Sequence, residues 1–356
     1  MEFERRKEAF LKLGTRLRQE LKAAGNEDAG RFKQALLQAY HKNAWFVPFH
    51  VEYAMNAIAN CLIESQMSSW LNPYQMKVAV KHAKKVAVIT AGNIPAVGFH
   101  DFLSVLISGN IFIGKLSSQD EVLLPLLADM LVEIEPGFAD YIQFKSGTMK
   151  DFDAVIATGS NNTARYFEYY FGKYPHIIRK NRNAVAILNG NENSKTIEAL
   201  GKDIFLYFGL GCRNVSKVYA PQGFMAADLL SHFDAWKYVA DHHKYMNNYD
   251  YFKSIYLINR EEFFDNGFLL LKNEVRIASP VSVLFYETYN NRQELFDHLI
   301  AEAENIQCVV GEDLNRQDIA GIATAKPGQA QQPALWDYAD NMDTLAFLQK
   351  ITSNKS

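Results

Sequence analysis

The sequence of 356 residues carries 37 Lys and Arg against 40 Asp and Glu, a formal net charge of -3. This balance gives no support for nucleic acid or an anionic membrane surface as a partner. Apolar residues make up 48% and charged residues 22% of the chain, which is ordinary for a folded protein. At this length two domains with sizeable cores are possible.

Cysteine usage and hydropathy indicate a reducing compartment. Cys61, Cys212 and Cys308 are an odd, widely spaced set without a C-x-x-C pair, which argues against a disulfide framework. The first residues, MEFERRKEAFLKLG, lack the apolar core of a signal peptide. The most apolar long run, 94–114, is interrupted by polar and charged residues and is not a membrane span. We therefore expect a cytoplasmic protein without a membrane-spanning segment.

Hydrophobic periodicity predicts helices over residues 1–83 and an alternation of strands and helices after Val86. The predicted elements in chain order are strand 86–90, helix 99–108, strand 110–115, helix 121–134, strands 141–147 and 154–158, and a helix from Asn161. Strands that alternate with helices of this length are typical of right-handed crossovers and a parallel, nucleotide-type sheet.

A second α/β layer follows. Strand 176–180 leads towards this layer, and the predicted elements that follow are strands 184–188 and 215–220, helix 229–243, and strands 281–288 and 306–311. The domain organisation that we predict is a helical region with a Rossmann-like cofactor domain over 1–183, a catalytic domain over 184–325, and a tail over 326–356 that serves as a subunit contact.

Three turns follow predicted strands. Asn93 comes after the first strand, Lys115 closes the second, and Gly159 with Ser160 lies between strand 154–158 and the next helix. Ligands of open parallel sheets bind beyond the carboxyl ends of strands, and Ser160 is a plausible N-cap of a helix that could face phosphate. Each turn alone is more typical of an ordinary strand end or helix cap than of a ligand site, and neither a G-x-G-x-x-G nor a P-loop sequence is present.

Cys212 stands in the segment GLGCRN, where flanking glycines leave its thiol little to pack against. The functional reading is a nucleophile whose pKa is lowered by the neighbouring Arg213; the structural reading is a small buried cysteine beside turn glycines. Cys61 and Cys308 lie in apolar runs and are predicted to be core residues.

The sequence predicts no metal site. His242 and His243 are adjacent, so they do not share one helical face, and no Cys or carboxylate pattern accompanies them.

The order of these residues resembles that of the aldehyde dehydrogenase superfamily. The matching positions are Asn93 in AGNIP, Lys115, Gly159 with Ser160, Cys212, and the segment RIASPVSVLFYE at 276–287. Within the superfamily the chain most resembles the acyl-CoA reductases of the LuxC type, through GCRNVSKVYAP and the C-terminal PGQAQQPALWDYADNMDTLAFL. This resemblance extends from about residue 86 to the end of the chain.

The resemblance implies a role for each residue. Asn93 helps to form an oxyanion hole, Lys115 holds the adenosine ribose, the Gly159–Ser160 turn lies by the cofactor, and Cys212 is the nucleophile. It also implies an α/β fold of the aldehyde dehydrogenase type with two three-layer domains, and a homo-oligomer.

Three departures from the family pattern modify the expected chemistry. At the place of the E-L-G-G segment, whose Glu activates water, the chain has RKNR at 179–182. Arg276 stands where a Glu normally holds the nicotinamide ribose, and Ser118 replaces the Glu that repels a 2′-phosphate. Without a hydrolytic base an enzyme thioester persists, and without the acidic group NADPH is tolerated and slightly favoured over NADH.

The function that follows from the resemblance is the NADPH-dependent reduction of an acyl-CoA, with a fatty acyl chain as the expected substrate, to an aldehyde through an acyl-enzyme on Cys212. Two alternatives remain open. One is an acylating aldehyde dehydrogenase that runs towards acyl-CoA, and the other is a non-catalytic acyl-binding partner protein that keeps the fold.

Overall fold

The computed structural model of the protein describes residues 1–23, 30–74, 76 and 82–353. The chain divides into two compact units, of which the first contains Met1–Lys180 with Ala334–Ser356 and the second Asn181–Pro333. The first division between the units, between Lys180 and Asn181, lies close to the domain boundary predicted after residue 183. The predicted tail, 326–356, is shared between the units, because its residues from Ala334 onward pack with the first one.

The first unit begins with helices whose apolar residues recur every three or four positions. They are Phe3–Ala23 (α1), Arg31–Lys42 (α2), Pro48–Cys61 (α3) and Glu64–Leu71 (α4). Phe10, Leu13 and Leu17 form the buried face of α1. Gly14 allows close packing at the end of α3, since a Cβ there would lie 2.4 Å from the carbonyl oxygen of Leu62. The predicted helical N-terminal region is confirmed.

The sheet of the first unit is entirely parallel in the described residues. Its strands are Lys85–Ile89 (β1), Ile111–Lys115 (β2), Ile142–Phe144 (β3), Ala154–Thr158 (β4) and His176–Arg179 (β5). Their order is β3-β2-β1-β4-β5. The crossover helices are Phe99–Ile107 (α5), Leu123–Ile134 (α6) and Asn161–Phe171 (α7). The buried, β-branched central strands are typical of a sheet with both faces covered, and the predicted strand–helix alternation is confirmed.

The last helix, Thr344–Ser353 (α12), belongs to the first unit. Leu345, Leu348 and Ile351 are buried in the same core as the residues of α1 and α5. Their three-residue spacing places them on one face of α12. The C-terminal segment is therefore part of the core and not a surface appendage.

A buried ion pair joins three elements of the first unit. Arg179, at the end of β5, donates two hydrogen bonds to the carboxylate of Asp101 in α5, at 2.6 and 2.9 Å. The same guanidinium donates to Oγ1 of Thr344 at 2.9 Å. Arg179 is 5% exposed and Asp101 6%. Because both charges are removed from water, each depends on the other for its solvation.

The second unit contains another, mostly parallel sheet. Its strands are Asn183–Ile187 (β6), Val215–Pro221 (β7), Phe264–Asp265 (β8), Leu270–Asn273 (β9), Val283–Tyr289 (β10), Ile306–Val310 (β11) and Thr324–Ala325 (β12). In the described part of the chain their order is β12-β11-β6-β7-β10-β9-β8, and only the β8–β9 pair is antiparallel.

The helices of the second unit are Ser194–Phe205 (α8), Ala226–Ser231 (α9), His243–Asn259 (α10) and Arg292–Ala301 (α11). The prediction of one helix over 229–243 is wrong, because α9 is followed by a 3₁₀ segment over Asp234–Asp241 and then by α10. The His242 ring accepts a hydrogen bond from the backbone N–H of Tyr245 and so begins the new helix. Two parallel sheets with a helical N-terminus confirm the predicted α/β class.

Asp203 of α8 holds the segment that leads out of the second unit. Its carboxylate oxygens accept hydrogen bonds from the N–H groups of Gly328 at 2.6 Å and Ala330 at 3.0 Å. The side chain is fully buried. Burial raises the pKa of the Asp203 carboxyl to about 7, although the two N–H groups act in the opposite direction.

The Arg179–Asp101 pair can be tested by removing one charge. Asp101→Ala leaves the guanidinium buried without its carboxylate, and we expect the free energy of unfolding of the first unit to fall by about 3–5 kcal/mol. Urea unfolding followed by tryptophan fluorescence measures the loss.

Two further variants complete this test. Asp101→Ala combined with Arg179→Met removes both charges and should recover much of the stability. Glu168→Ala breaks the exposed pair with Lys180, whose charged atoms lie 3.1 Å apart, and should cost about 0–1 kcal/mol. Equal losses at the buried and the exposed pair would contradict the assignment.

The raised pKa of Asp203 predicts a pH-dependent stability. In the unfolded chain an Asp loses its proton near pH 4, whereas in the folded protein Asp203 keeps it to about pH 7. The folded state therefore binds more protons between these values, and this group lowers stability as pH rises through that window. Asp203→Asn removes the titration, so the Tm of the variant minus that of the wild type should rise from pH 5 to pH 8. Asp228→Asn, at an exposed position of α9, should leave this difference flat.

Candidate active site

The structure brings the predicted turns of the first unit to one edge of its sheet. The turn after β1 carries Asn93, β2 ends at Lys115 and is followed by a turn with Ser118, and the turn after β4 carries Gly159 and Ser160. Since β2, β1 and β4 are adjacent and parallel, all three turns leave the sheet at its carboxyl edge. This is the edge at which open parallel sheets bind ligands.

The strand register keeps these three ends level. Ile89, the last residue of β1, is paired with Lys115 of β2 and with Ala157 of β4. The N–H of Thr90 continues the ladder to the carbonyl oxygen of Lys115 at 3.1 Å. The side chain of Asn93 is exposed beyond this point.

The turns after β1 and β2 lie against each other. A Cβ at Gly92 would be 2.6 Å from Oγ of Ser117, which is closer than carbon and oxygen atoms can approach. Gly92 is therefore required by the contact between the two turns. Asn93, the next residue, is placed directly beside the turn that contains Lys115 and Ser118.

Ser160 begins α7 as the sequence predicts for an N-cap. Its Oγ accepts a hydrogen bond from the N–H of Thr163 at 3.2 Å. Gly159 has a packing role, because a Cβ at this position would lie 3.0 Å from side-chain atoms of Thr163 and Phe167. Close packing of the turn on α7 thus accounts for this glycine without a ligand.

These groups fit a dinucleotide by their chemistry. Lys115 supplies an ammonium group, Ser118 and Ser160 supply hydroxyls, and the first turn of α7 presents backbone N–H groups with a positive dipole end. None of the predicted site residues at this edge carries a carboxylate. Of the acidic residues that follow them in the β2 turn, Asp120 is buried and Glu121 is paired with Lys42, so the set suits the phosphates and ribose hydroxyls of an anionic cofactor.

The predicted nucleophile lies in the second unit, in the loop between α8 and β7. A 3₁₀ segment, Leu206–Gly209, leads into this loop and contains three successive left-handed residues, with φ of 54° at Tyr207, 56° at Phe208 and 76° at Gly209. The rings of Tyr207 and Phe208 are both buried. Packing of these rings offsets the cost of a backbone conformation that L-residues rarely adopt.

Asn214 fixes the backbone around Cys212, a role that sequence reasoning missed. Its Nδ2 donates to the carbonyl oxygens of Asp203 at 2.9 Å and Leu206 at 2.8 Å, and its Oδ1 accepts from the N–H of Gly211 at 2.8 Å. Asn214 is 2% exposed. One buried amide therefore ties both sides of the loop together. The signal in the sequence is slight, since Asn before a strand is an ordinary turn residue.

The three thiols have different environments. Cys212 is partly exposed and Cys308 is buried in β11. Burial raises the pKa of the Cys308 thiol to about 12, and the Arg213 guanidinium, which lowers it by charge and by a side-chain hydrogen bond, is outweighed. The action of Arg213 on Cys212 stays a prediction; its guanidinium acts on the pKa of the Cys308 thiol. Burial also raises the pKa of Cys61, which packs against the first core.

The RKNR segment serves the fold. Arg179 is the buried partner of Asp101, and Lys180 forms the exposed pair with Glu168. Arg182 donates a hydrogen bond from Nη1 to the carbonyl oxygen of Ala303 at 3.1 Å. Cationic and structural residues thus occupy the segment in which the family pattern has a carboxylate.

Arg276 lies in a segment that is bound to β7. The carbonyl oxygens on either side of it, those of Val275 and Ile277, accept hydrogen bonds from Lys217 and Ser216, each at 2.8 Å. The guanidinium itself pairs with Glu274 at 2.8 Å. Arg276 is the main cause that lowers the pKa of Glu274, to about 2, so a carboxylate is present two residues before the position that the family pattern assigns to one.

The carboxyl edge of the second sheet holds a separate polar cavity of about 460 Å³. Its lining includes Glu192 after β6, Tyr289 at the end of β10 and Glu312 after β11. Cys212 precedes β7 instead of following it, so the candidate nucleophile and this cavity are at opposite edges of the sheet.

Within the part of the chain that the structure describes, no group of His, Cys, Asp and Glu side chains has the arrangement of a metal site. Among the same residues, no helix is long and apolar enough to cross a membrane.

A comparison with protein families matches residues 64–227 to the family described as acyl-CoA reductase (LuxC). The matched segment contains Asn93, Lys115, Ser118, the Gly159–Ser160 turn and Cys212. The comparison with curated proteins gives no match.

Solved structures with a similar fold include aldehyde dehydrogenases. Aldehyde dehydrogenase 21 from Physcomitrella patens, in complex with succinate, is 12% identical, with a TM-score of 0.68 over 99% of this chain and 85% of that one. The NAD+ complex of an enzyme from Bacillus cereus is 14% identical, with a TM-score of 0.63 over 92% and 76%. Aldehyde dehydrogenase C from Pseudomonas syringae, a mutant with NAD+ and octanal, is 12% identical, with a TM-score of 0.62 over 90% and 76%.

At these identities the structural likeness concerns the fold, and the family match concerns the segment from 64 to 227. The predicted resemblance to the LuxC-type acyl-CoA reductases is therefore confirmed over residues 64–227, in a chain that has the fold of the aldehyde dehydrogenases.

Proposed function

We propose that the protein is an NADPH-dependent acyl-CoA reductase that converts an acyl-CoA thioester, with a fatty acyl chain as the favoured substrate, into an aldehyde. The observation that carries this proposal is the state of Cys212, a partly exposed thiol in a loop whose backbone is fixed by Asn214. The LuxC family match, which includes this loop, supports the same reaction class.

Cys212 acts as the nucleophile. Its thiolate attacks the thioester carbonyl, the bond from that carbon to the sulfur of CoA breaks, and CoA leaves as a thiol after taking up a proton. The acyl group is then held on Sγ as a new thioester. The family resemblance assigns the oxyanion to the Asn93 amide and the backbone N–H of Cys212, which together contribute a few kcal/mol of transition-state stabilisation.

The residues at the carboxyl edge of the first sheet hold the cofactor. Lys115 and Ser118 bind the adenosine ribose, and Ser160 with the first turn of α7 binds phosphate. When bound, the reduced dinucleotide supplies the hydride that brings the acyl group to the aldehyde level. When the aldehyde is released, the bond between its carbon and Sγ of Cys212 breaks, and the thiolate is regenerated. The net reaction consumes one acyl-CoA, one NADPH and one proton and yields aldehyde, CoA and NADP+.

The RKNR segment favours reduction over hydrolysis. With Arg179 in a buried ion pair, this segment offers no carboxylate to activate water against the acyl-enzyme. The thioester on Cys212 therefore persists long enough for reduction or for exchange with CoA. The second outcome corresponds to an acylating aldehyde dehydrogenase that runs in the opposite direction.

The expected fatty acyl chain has support from one structural relative. Aldehyde dehydrogenase C from Pseudomonas syringae is described with the aliphatic aldehyde octanal. The 24 Phe and 18 Tyr of this chain provide ample apolar surface for such a substrate, although packing of the cores uses the same residues.

Intact-mass spectrometry after incubation with tetradecanoyl-CoA tests the nucleophile. We expect one acyl adduct on the wild type and none on Cys212→Ala, because only a nucleophilic thiol can exchange with the thioester. Cys308→Ala, which removes a buried thiol of raised pKa, is the matched control and should keep the adduct. Added NADPH should discharge the adduct as an aldehyde that a hydrazine reagent traps.

The other outcomes identify the alternatives. Either of two results would rule out the reductase and favour an acyl-binding partner protein. One is an adduct that persists on Cys212→Ala. The other is a folded wild type that forms no acyl adduct with any chain length and binds no NADPH. An adduct that NADPH leaves intact, combined with CoA-dependent oxidation of aldehyde by NAD(P)+, would favour the acylating dehydrogenase.

Ser118 provides a test of cofactor choice. Ser118→Glu places a carboxylate next to the proposed adenosine ribose site, where it would repel a 2′-phosphate. We expect kcat/KM for NADPH to fall by about tenfold or more, with a much smaller change for NADH. Gln119→Glu adds the same charge at the next exposed position of the turn and is the matched control. Equal effects of the two variants on NADPH would contradict a specific role for position 118.

A further inference from the structure

The turn that carries Asn93 is held at both of its ends. On one side, the carbonyl oxygen of Gly92 accepts a hydrogen bond from Nδ2 of Asn43 at 3.5 Å. On the other side, the N–H of Ala96 donates to Oδ2 of Asp120 at 2.7 Å. The first bond is long and the second is short, so Asp120 is the stronger of the two ties.

Both ties connect this turn to the turn after β2. Nδ2 of Asn43 also donates to the carbonyl oxygen of Gln119 at 3.3 Å. Asp120 belongs to the β2 turn itself, where its N–H donates to the carbonyl oxygen of Ser117 at 2.9 Å. The two turns are therefore bound together on either side of Asn93, in addition to the close approach of Gly92 and Ser117.

The conformation that Asp120 stabilises is an unusual one. Ala96 has a φ of 54° and is 4% exposed. A left-handed alanine is strained, and such residues persist only where their surroundings impose the conformation. A charge-assisted hydrogen bond from the N–H of this residue is one such constraint.

The buried carboxyl of Asp120 is unfavourable for the stability of the fold. It is 6% exposed, and Oδ1 makes no hydrogen bond to the described residues. Burial raises the pKa of the Asp120 carboxyl to about 7, against the N–H groups of Ala96 and Leu123. A buried carboxyl with one oxygen unsatisfied destabilises the fold, so a reason for its presence is needed outside stability.

We propose that Asp120, with Asn43 as a second tie, is a positioning residue that holds the Asn93 turn against the Lys115–Ser118 turn and so orients the Asn93 amide for acyl transfer to Cys212. Neither residue contacts the substrate in this role. The inference rests on the proposed function, because it is the acylation of Cys212 that Asn93 is proposed to accelerate.

The test measures the rate of CoA release in a single turnover, the apparent affinity for tetradecanoyl-CoA and the Tm. Asp120→Ala removes the acceptor for the Ala96 N–H, and a small displacement of a catalytic group is costly, so we expect the acylation rate to fall by about tenfold or more. The affinity should change by less than about threefold, because ground-state binding does not use Asn93. Asp120→Asn keeps an oxygen that can accept from Ala96 and should restore most of the rate.

A double-mutant cycle separates positioning from a general structural effect. If Asp120 acts through Asn93, Asp120→Ala should cost little further rate in an Asn93→Ala background. The inference would be overturned by a lower Tm with an unchanged acylation rate. It would also be overturned if the effects of Asp120→Ala and Asn93→Ala on the acylation rate add fully. If Asp120→Ala does not fold, Asp120→Ser, whose side chain is too short to reach the Ala96 N–H, replaces it in the cycle.

The controls separate this inference from the proposed function. If the wild type is not acylated on Cys212, or Asn93→Ala acylates at the wild-type rate, the proposed function fails at that step and the positioning role fails with it. If Cys212 is acylated and Asn93→Ala is slow, but Asp120→Ala is as fast as the wild type, only the positioning role is overturned.

Discussion

The buried pair of Arg179 and Asp101 constrains three elements of the first unit at once. It fixes the end of β5 to α5, the helix that follows the Asn93 turn, and through Thr344 it includes the last helix of the chain. A bidentate guanidinium–carboxylate contact has little freedom in angle or distance. The ends of β1 and β5 are therefore set relative to each other, and with them the edge at which the turns with Asn93, Ser118 and Ser160 leave the sheet.

The two units position their candidate functional residues by different means. In the first unit the parallel register brings Asn93, Lys115 and Ser160 to one edge, and Asn43 and Asp120 tie the Asn93 turn to the β2 turn. In the second unit Cys212 precedes its strand, where no strand end supports it, so its loop depends on the buried amide of Asn214 and on two packed aromatic rings. A loop tied by a single amide is sensitive to one substitution at that position.

Much of the fold and part of the site could be predicted because the signals are local in sequence. Strands β1, β2 and β4 are short apolar runs between polar turns, and the order of Asn93, Lys115 and Cys212 along the chain indicated the family. Two of the residues that were missed act across long separations. Asn43 donates hydrogen bonds to the turns after β1 and β2. Asp120 accepts one from the turn after β1, from which it is separated in sequence by α5 and β2. Nothing near either residue in the sequence therefore reveals its partner. The helix predicted over 229–243 was wrong because apolar spacing does not show where a new cap, here His242, begins another helix.

The return of the C-terminal segment to the first unit has a consequence for the order of folding during synthesis. All residues of the second unit have been made once Pro333 is added, whereas the first unit still lacks α12, whose Leu345 and Leu348 belong to its core. Domains usually complete in the order in which they leave the ribosome. In this chain the unit that starts later has its full sequence first, and the unit that starts earlier keeps part of its apolar core uncovered until α12 has been made.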